Sequence, residues 1–159
     1  MLQTETPTNI PEIALEYAFQ IRINFKERIR YETPAGKRVY VPADSGEVWG
    51  PRLSGIVVPR SGGDYADVYG LNAHYMLQAD DGSYIYLHNR GQLYRTDGKE
   101  TPLDDPTWGG DAEHYFRICP TFDAPIGPHD WLNRTLIIGT GQREQHPNDH
   151  TIFTYYAVK

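Results

Sequence analysis

Apolar and polar positions alternate along much of the chain. Over residues 16–25 (EYAFQIRINF), Tyr17, Phe19, Ile21, Ile23 and Phe25 fall on one side and Ala18, Gln20, Arg22 and Asn24 on the other. Side chains alternate along a strand, so this pattern predicts a half-buried one. A second strand is predicted over residues 37–41, after the Pro34-Ala35-Gly36 turn. Residues 47–59 read as one long strand broken at Gly50-Pro51, since proline cannot donate to a ladder and marks a bulge, an edge or a corner. Ser61-Gly62-Gly63 turns the chain into Asp64-Tyr65.

The clearest unit follows. Residues 71–77 and 83–88 flank Asp80-Asp81-Gly82, and Asp-Gly between strand-forming runs predicts a hairpin with a type I′ turn. Further strands are predicted over residues 115–120, 130–139 and 151–158. Residues 92–110 and 143–149 are polar connections, the first of a length that suits a lid or a rim element. Roughly eight to ten strands without a strong helical segment predict an all-β protein. The expected form is a single antiparallel β-barrel, lipocalin/calycin-like in size, in preference to a sandwich. Such a barrel removes sheet edges and can hold one small ligand. Residues 1–12 read as a flexible N-terminal arm and residues 13–159 as the barrel domain.

Composition sharpens this picture. The 12 tyrosines and 13% aromatics favour strands and wet-edged pockets over helices. A net charge of −6 with no basic run argues against nucleic acid or an anionic membrane as partner. Cys119 is the sole cysteine, so neither an internal disulfide nor a cysteine metal cluster is expected. No apolar run approaches the ~18 residues of a spanning helix, and the first residues carry no charged-then-apolar secretory pattern. The expectation is a soluble, cytoplasmic protein.

Several stretches resemble the domain-of-unknown-function family 3237, an uncharacterised UPF-type family. They are Gly46-Glu47-Val48-Trp49-Gly50-Pro51-Arg52-Leu53-Ser54-Gly55, Gly62-Gly63-Asp64-Tyr65, Tyr75 with Asp80-Asp81-Gly82, Tyr115-Phe116-Arg117 with Phe122-Asp123, and Trp131-Leu132-Asn133. The resemblance covers residues 16–158 and implies a compact antiparallel β-barrel, with no general activity attached. His74 stands where the family pattern has arginine, Tyr65 where it has tryptophan and Asp123 where it has glutamate, which points to a different ligand if those positions line a site.

Candidate chemistry centres on the hairpin. Asp64, after two glycines, suits a general base or ligand anchor at a barrel mouth, or an aspartate bonding its own turn. His74 would titrate near neutral pH. Asn72, His74 and Met76 share one face, and Tyr84, Tyr86 and His88 share a face across the hairpin. His74 and Tyr86 therefore meet either inside a pocket or on an outer aromatic ladder. Asp64, His74 and Tyr86 are the expected catalytic groups. Tyr65, Tyr75, Tyr115, Arg117, Trp131 and Asn133 are the expected substrate-binding groups, Arg117 and Asn133 anchoring a carbonyl or carboxylate and Trp131 and Tyr115 forming walls. The alternative for Arg117 is a structural pair with Asp123 or Asp64. His146 and His150 are four apart with a proline between them, and His114 and His129 sit in loops, so no metal is expected. Cys119 before Pro120 reads as a buried structural thiol. Gly139-Thr140-Gly141 lacks the lysine and helix of a phosphate loop.

The leading expectation is a cofactor-free enzyme of lyase, hydratase, isomerase or cyclase type. It would act on a small aromatic or oxygenated organic molecule. The rivals are a non-catalytic ligand-binding barrel and an interaction subunit, such as a homodimer, joined through the Tyr84/Tyr86 face.

Overall fold

Short alternating runs leave each strand with one apolar face to hide, and closing the sheet on itself hides them all together. The computed structural model describes residues 9–67, 70–101, 105 and 112–159. Among the described residues there are twelve strands: β1 (Leu15–Asn24), β2 (Ile29–Thr33), β3 (Gly36–Pro42), β4 (Ser45–Trp49), β5 (Gly55–Val57), β6 (Gly63–Ala66), β7 (Asn72–Ala79), β8 (Tyr84–Arg95), β9 (His114–Ile118), β10 (Thr121–Asp123), β11 (Ile137–Glu144) and β12 (His150–Val158). Following hydrogen-bonded neighbours from β8 through β9, β11, β12, β1, β4, β5 and β7 leads back to β8, so these strands close a ring. Every pairing in it is antiparallel. β7 pairs with β5 through Leu77–Ala79 and with β6 through Ala73 and His74. β6 in turn carries β3 and β2 as a flank that extends one end of the barrel.

The predicted barrel is present, with more strands than the alternation revealed. Residues 47–59 are not one strand: β4 and β5 pair antiparallel with each other, Gly46 opposite Val57 and Val48 opposite Gly55. Gly50-Pro51 therefore belongs to a hairpin connection. The Asp80-Asp81-Gly82 turn also differs from type I′, which needs positive φ at both central residues. Only Gly82 has positive φ, at 88°, while its N–H donates to the Ala79 carbonyl at 2.8 Å and the Ala79 N–H to the Ser83 carbonyl at 2.9 Å. This is the form in which a left-handed glycine makes a bulge after the turn.

In β1 the register slips between Tyr17 and Phe19. Ala18 and Phe19 are consequently both buried, and Tyr17 faces out, against the simple alternation. Residues 130–139 do not form one strand either. Asp130–Asn133 is a 3₁₀ turn, and β11 starts only at Ile137. β8 continues to Arg95, so it takes up the start of the expected connection over residues 92–110. Residues 102–104 and 106–111, which hold most of the expected lid or rim element, lie outside the described residues, as do residues 1–8 of the expected arm. Cys119 is exposed rather than buried.

One end of the barrel is plugged by aromatic rings. Phe19 stacks on Tyr155 with centroids 4.8 Å apart and meets Phe122 and Trp131 edge-on at 6.1 and 6.5 Å. Trp131, on the 3₁₀ turn, is capped by the Arg52 guanidinium 3.6 Å from its ring centroid, a cation–π contact. Ile21, Leu77, Ile85, Leu87 and Ile137 fill the middle. Towards the other end the filling stops and a cavity opens.

Candidate functional site

The cavity occupies about 1070 Å³, ample for a small organic ligand. Parts of β1, β2, β3, β6, β7, β8, β9, β11 and β12 bound it, with Ile23, Val41, Ala73, Phe116 and Phe153 among its apolar walls. Asp64, Tyr75, Arg28 and Arg143 supply polar groups.

Asp64 is held between β3 and β7, opposite Val41 and Ala73. Gly63 makes that fit possible, because a Cβ there would stand 2.5 Å from the Val41 carbonyl oxygen. The Asp64 carboxylate accepts the Asn72 N–H at 2.9 Å. Its side chain is on the cavity wall and is half-buried. This burial pushes its pKa up to about 7, although the Asn72 N–H and Arg28 pull the other way. Near neutral pH this carboxyl therefore exists in both protonation states, the condition that suits a general base.

Tyr75, two strand positions from Ala73, also points inward and is 2% exposed. Its Oη lies near Tyr155, Asn89 and, electrostatically, Asp64. Among the described residues these approaches fall short of hydrogen-bond geometry, leaving Tyr75 Oη and Asn89 Oδ1 as buried atoms without a bond. Burial raises the Tyr75 pKa, so the phenol keeps its proton. Beneath it Asn89 Nδ2 donates to Tyr155 Oη at 3.0 Å, fixing the floor.

Also on the cavity wall, Arg28 donates from Nε and Nη2 to the two Asp149 oxygens, both at 2.9 Å, and is 5.1 Å from the Phe25 ring centroid. Arg143 Nε reaches Asp149 Oδ1 at 3.5 Å. Burial, followed by the neighbouring Arg28 charge, lowers the Arg143 pKa to about 10, which leaves it charged at neutral pH.

Of the expected catalytic and substrate-binding residues, the cavity takes Asp64 and Tyr75. His74 and Tyr86 do meet, Nδ1 against Oη, but on the outer face of the barrel. There the His74 ring stacks on His88 at 3.8 Å, and His88 Nε2 contacts Asn72 Oδ1 at 2.8 Å. On β7 the inward positions are Ala73, Tyr75, Leu77 and Ala79, so His74 points away from Asp64. Tyr65 is outward and stacked on Tyr40 at 4.6 Å. Tyr115 stacks outside on Tyr94 at 5.0 Å, with the Arg117 guanidinium 5.0 Å from its ring. Arg117 spends a donor on the Phe116 carbonyl at 2.9 Å. Trp131 belongs to the plug. Asn133 clamps one residue's backbone, accepting from Ala124 N at 2.8 Å and donating to Ala124 O at 2.9 Å.

Arg28, Arg143 and Asn89 were not legible as site residues. One signal could have found the arginines: β1 and β11 both pair with β12 and both end opposite His150, so charges just past Asn24 and near Glu144 meet at one rim. Among the described residues, no group of three or more His, Cys, Asp or Glu is arranged to hold a metal ion. No helix of the described residues is long and apolar enough to cross a membrane.

The family described as "Protein of unknown function (DUF3237)" matches residues 13–158. The chain belongs to that family. A UPF0311 protein of Rhodopseudomonas palustris is 28% identical over 145 residues, covering 84% of this chain and 90% of its own. The crystal structure of a β-barrel like protein from Acinetobacter baumannii superimposes with a TM-score of 0.77 at 27% identity, covering 96% of this chain and 100% of the other. An enzyme from Penicillium herquei shares the fold, with a TM-score of 0.65 at 17% identity over 97% of this chain and 100% of that one. The fold of this DUF3237 member is thus shared by a bacterial barrel and a fungal enzyme.

Proposed function

We propose that this DUF3237 barrel is a cofactor-free enzyme that performs acid/base chemistry on a small aromatic or oxygenated organic molecule. The observation that carries this reading is Asp64: a carboxyl facing a largely apolar cavity, with a pKa near 7, in electrostatic reach of the protonated Tyr75 phenol. Groups so tuned cluster at active sites. The ionised Asp64 removes a proton from a carbon beside a carbonyl. The electron pair moves onto the carbonyl oxygen, where the Tyr75 O–H donates a hydrogen bond to the developing charge. Asp64 then returns its proton at another atom, giving isomerisation, or a leaving group departs with the electron pair, giving elimination. Protons and electrons balance without an oxidant or reductant. The enzyme from Penicillium herquei supports the reading by analogy, since it shows that this fold can carry catalysis.

The test is solvent-deuterium exchange, followed by proton NMR, across a panel of enolisable aromatic ketones and phenylacetic acids. The proposal expects exchange above the buffer rate for at least one probe, rising with pH through a midpoint near 7 as Asp64 ionises. Saturable binding of the panel with no exchange above buffer would overturn it in favour of a ligand-binding barrel.

A further inference from the structure

We propose that the outer face formed by the start of β1, the end of β12 and the start of β11 is the interface of a homodimer. The strand registers line up two apolar rows there. Tyr17, Tyr156 and Ile138 stand side by side in one, and Leu15, Val158 and Leu136 in the other. Their neighbours Tyr155 and Ala157 on β12 and Ile137 on β11 are buried, so the alternation turns both rows to the outside. Leu15, Tyr17 and Leu136 are 53%, 39% and 60% exposed, and Ile138, Tyr156 and Val158 are half-buried. The rows present roughly 400 Å² of contiguous apolar surface, the size at which a patch marks an interaction site. That is about half of the ~800 Å² each side of a standard interface buries, and close to the apolar share such interfaces carry.

A second copy of the chain is the occupant this face fits. Neither row holds a charge, and the next row along the sheet, Gln20, Thr154 and Thr140, is polar and uncharged. Glu16, the one acid of β1, is paired with Arg52 and Lys159 at 3.4 and 3.2 Å. Two chains of net charge −6 therefore meet here without opposing like charges, whereas an acidic or basic partner finds nothing to pair with. Residues 1–8 carry only Met1 and Leu2 as large apolar side chains, too few to cover both rows. A two-fold axis along β12 stacks the two sheets face to face. It sets Leu15 and Tyr17 of each copy against Leu136 and Ile138 of the other, while Tyr156 and Val158 meet their own counterparts. None of the six residues lines the cavity, so association leaves it as it is in the single chain.

Sedimentation velocity across a dilution series tests the interface. Wild type is expected to be a dimer at micromolar concentration. Leu136→Glu puts an unpaired charge into the contact and should weaken association at least about 100-fold. Leu15→Lys should do the same. Both side chains are exposed in the single chain, so both variants should keep the wild-type circular dichroism spectrum. The double variant Leu15→Lys/Leu136→Glu should recover most of the affinity. The two-fold sets the opposite charges against each other across the interface, while β12 separates them within one chain. A wild type that stays monomeric throughout the micromolar range would overturn the inference. So would a dimer that survives both single variants, or a double variant that recovers nothing. A dimer lost in Tyr86→Glu and kept in Leu136→Glu would overturn it in favour of the Tyr84/Tyr86 face. A monomer that floats with phosphatidylcholine vesicles would overturn it in favour of a lipid surface.

Discussion

Asp64→Asn is expected to lower the exchange rate of the best carbon-acid probe by roughly 10²- to 10⁴-fold, the contribution usual for a positioned general base. Asparagine has nearly the same shape, and its side-chain oxygen can still accept the Asn72 N–H, so ligand affinity should stay within about a factor of three of wild type, because no charge-charge contact to the ligand depends on it. A matching fall in affinity and rate would instead mark Asp64 as a binding group. The same substitution has a second signature. Asp64 is raised from 3.8 in its ordinary state to about 7 in the fold, so the folded protein holds this proton more tightly than the unfolded chain does. Between about pH 4 and pH 7 the unfolded chain has released the proton and the folded one has not. This group's contribution is therefore fully present below about pH 4 and is lost as pH rises through 7. Water admitted by the cavity softens the burial, so the loss is on the order of 2 kcal/mol rather than the full shift. Wild type should accordingly gain on Asp64→Asn in Tm as pH falls from 8 to 5, and the variant should be the more stable at pH 8. Parallel pH–Tm curves for the two proteins would rule out a raised Asp64.

Phe19→Ala should be the most damaging single truncation of the plug. Phe19 is fully buried and touches Tyr155, Phe122 and Trp131 at once. Removing a buried ring in such a setting costs about 3–5 kcal/mol, because the surrounding barrel can collapse only partly. For a domain of this size that corresponds to a fall in Tm of roughly 10 °C. Phe19 is not among the residues lining the cavity, so the fraction of Phe19→Ala that remains folded should keep the wild-type pH midpoint of exchange. Thermal melts and the pH profile of the variant check both halves of this expectation. A displaced midpoint would mean that the plug shapes the site.

The alternation that predicted a barrel worked because every ring strand has one face against a shared interior. It failed where local geometry broke the period. A register slip moved Tyr17 outside while burying its neighbours Ala18 and Phe19, and a hairpin at Gly50-Pro51 folded one expected strand into two. The contact between His74 and Tyr86 was legible from the hairpin register, but not its side of the wall. Ala73, Tyr75, Leu77 and Ala79 make one face of β7 wholly apolar, and ordinary burial would have put that face inward and His74 outward. The arginine corner was hidden for another reason: Arg28 and Arg143 are far apart in sequence and meet only because β12 lies between β1 and β11. Asp64 was legible, since two glycines before a carboxylate mark a close backbone approach, and the structure supplies the contact with Val41 that requires it.

Whether the cavity holds a carboxyl tuned to neutral pH is read directly by titrating Asp64 with carbon-13 NMR of labelled aspartate side chains, with Asp64→Asn to assign the signal. The expected midpoint is near 7, and it moves when an aromatic ketone or phenylacetic acid of the exchange panel occupies the cavity. A midpoint near 4 that is indifferent to every ligand would contradict it.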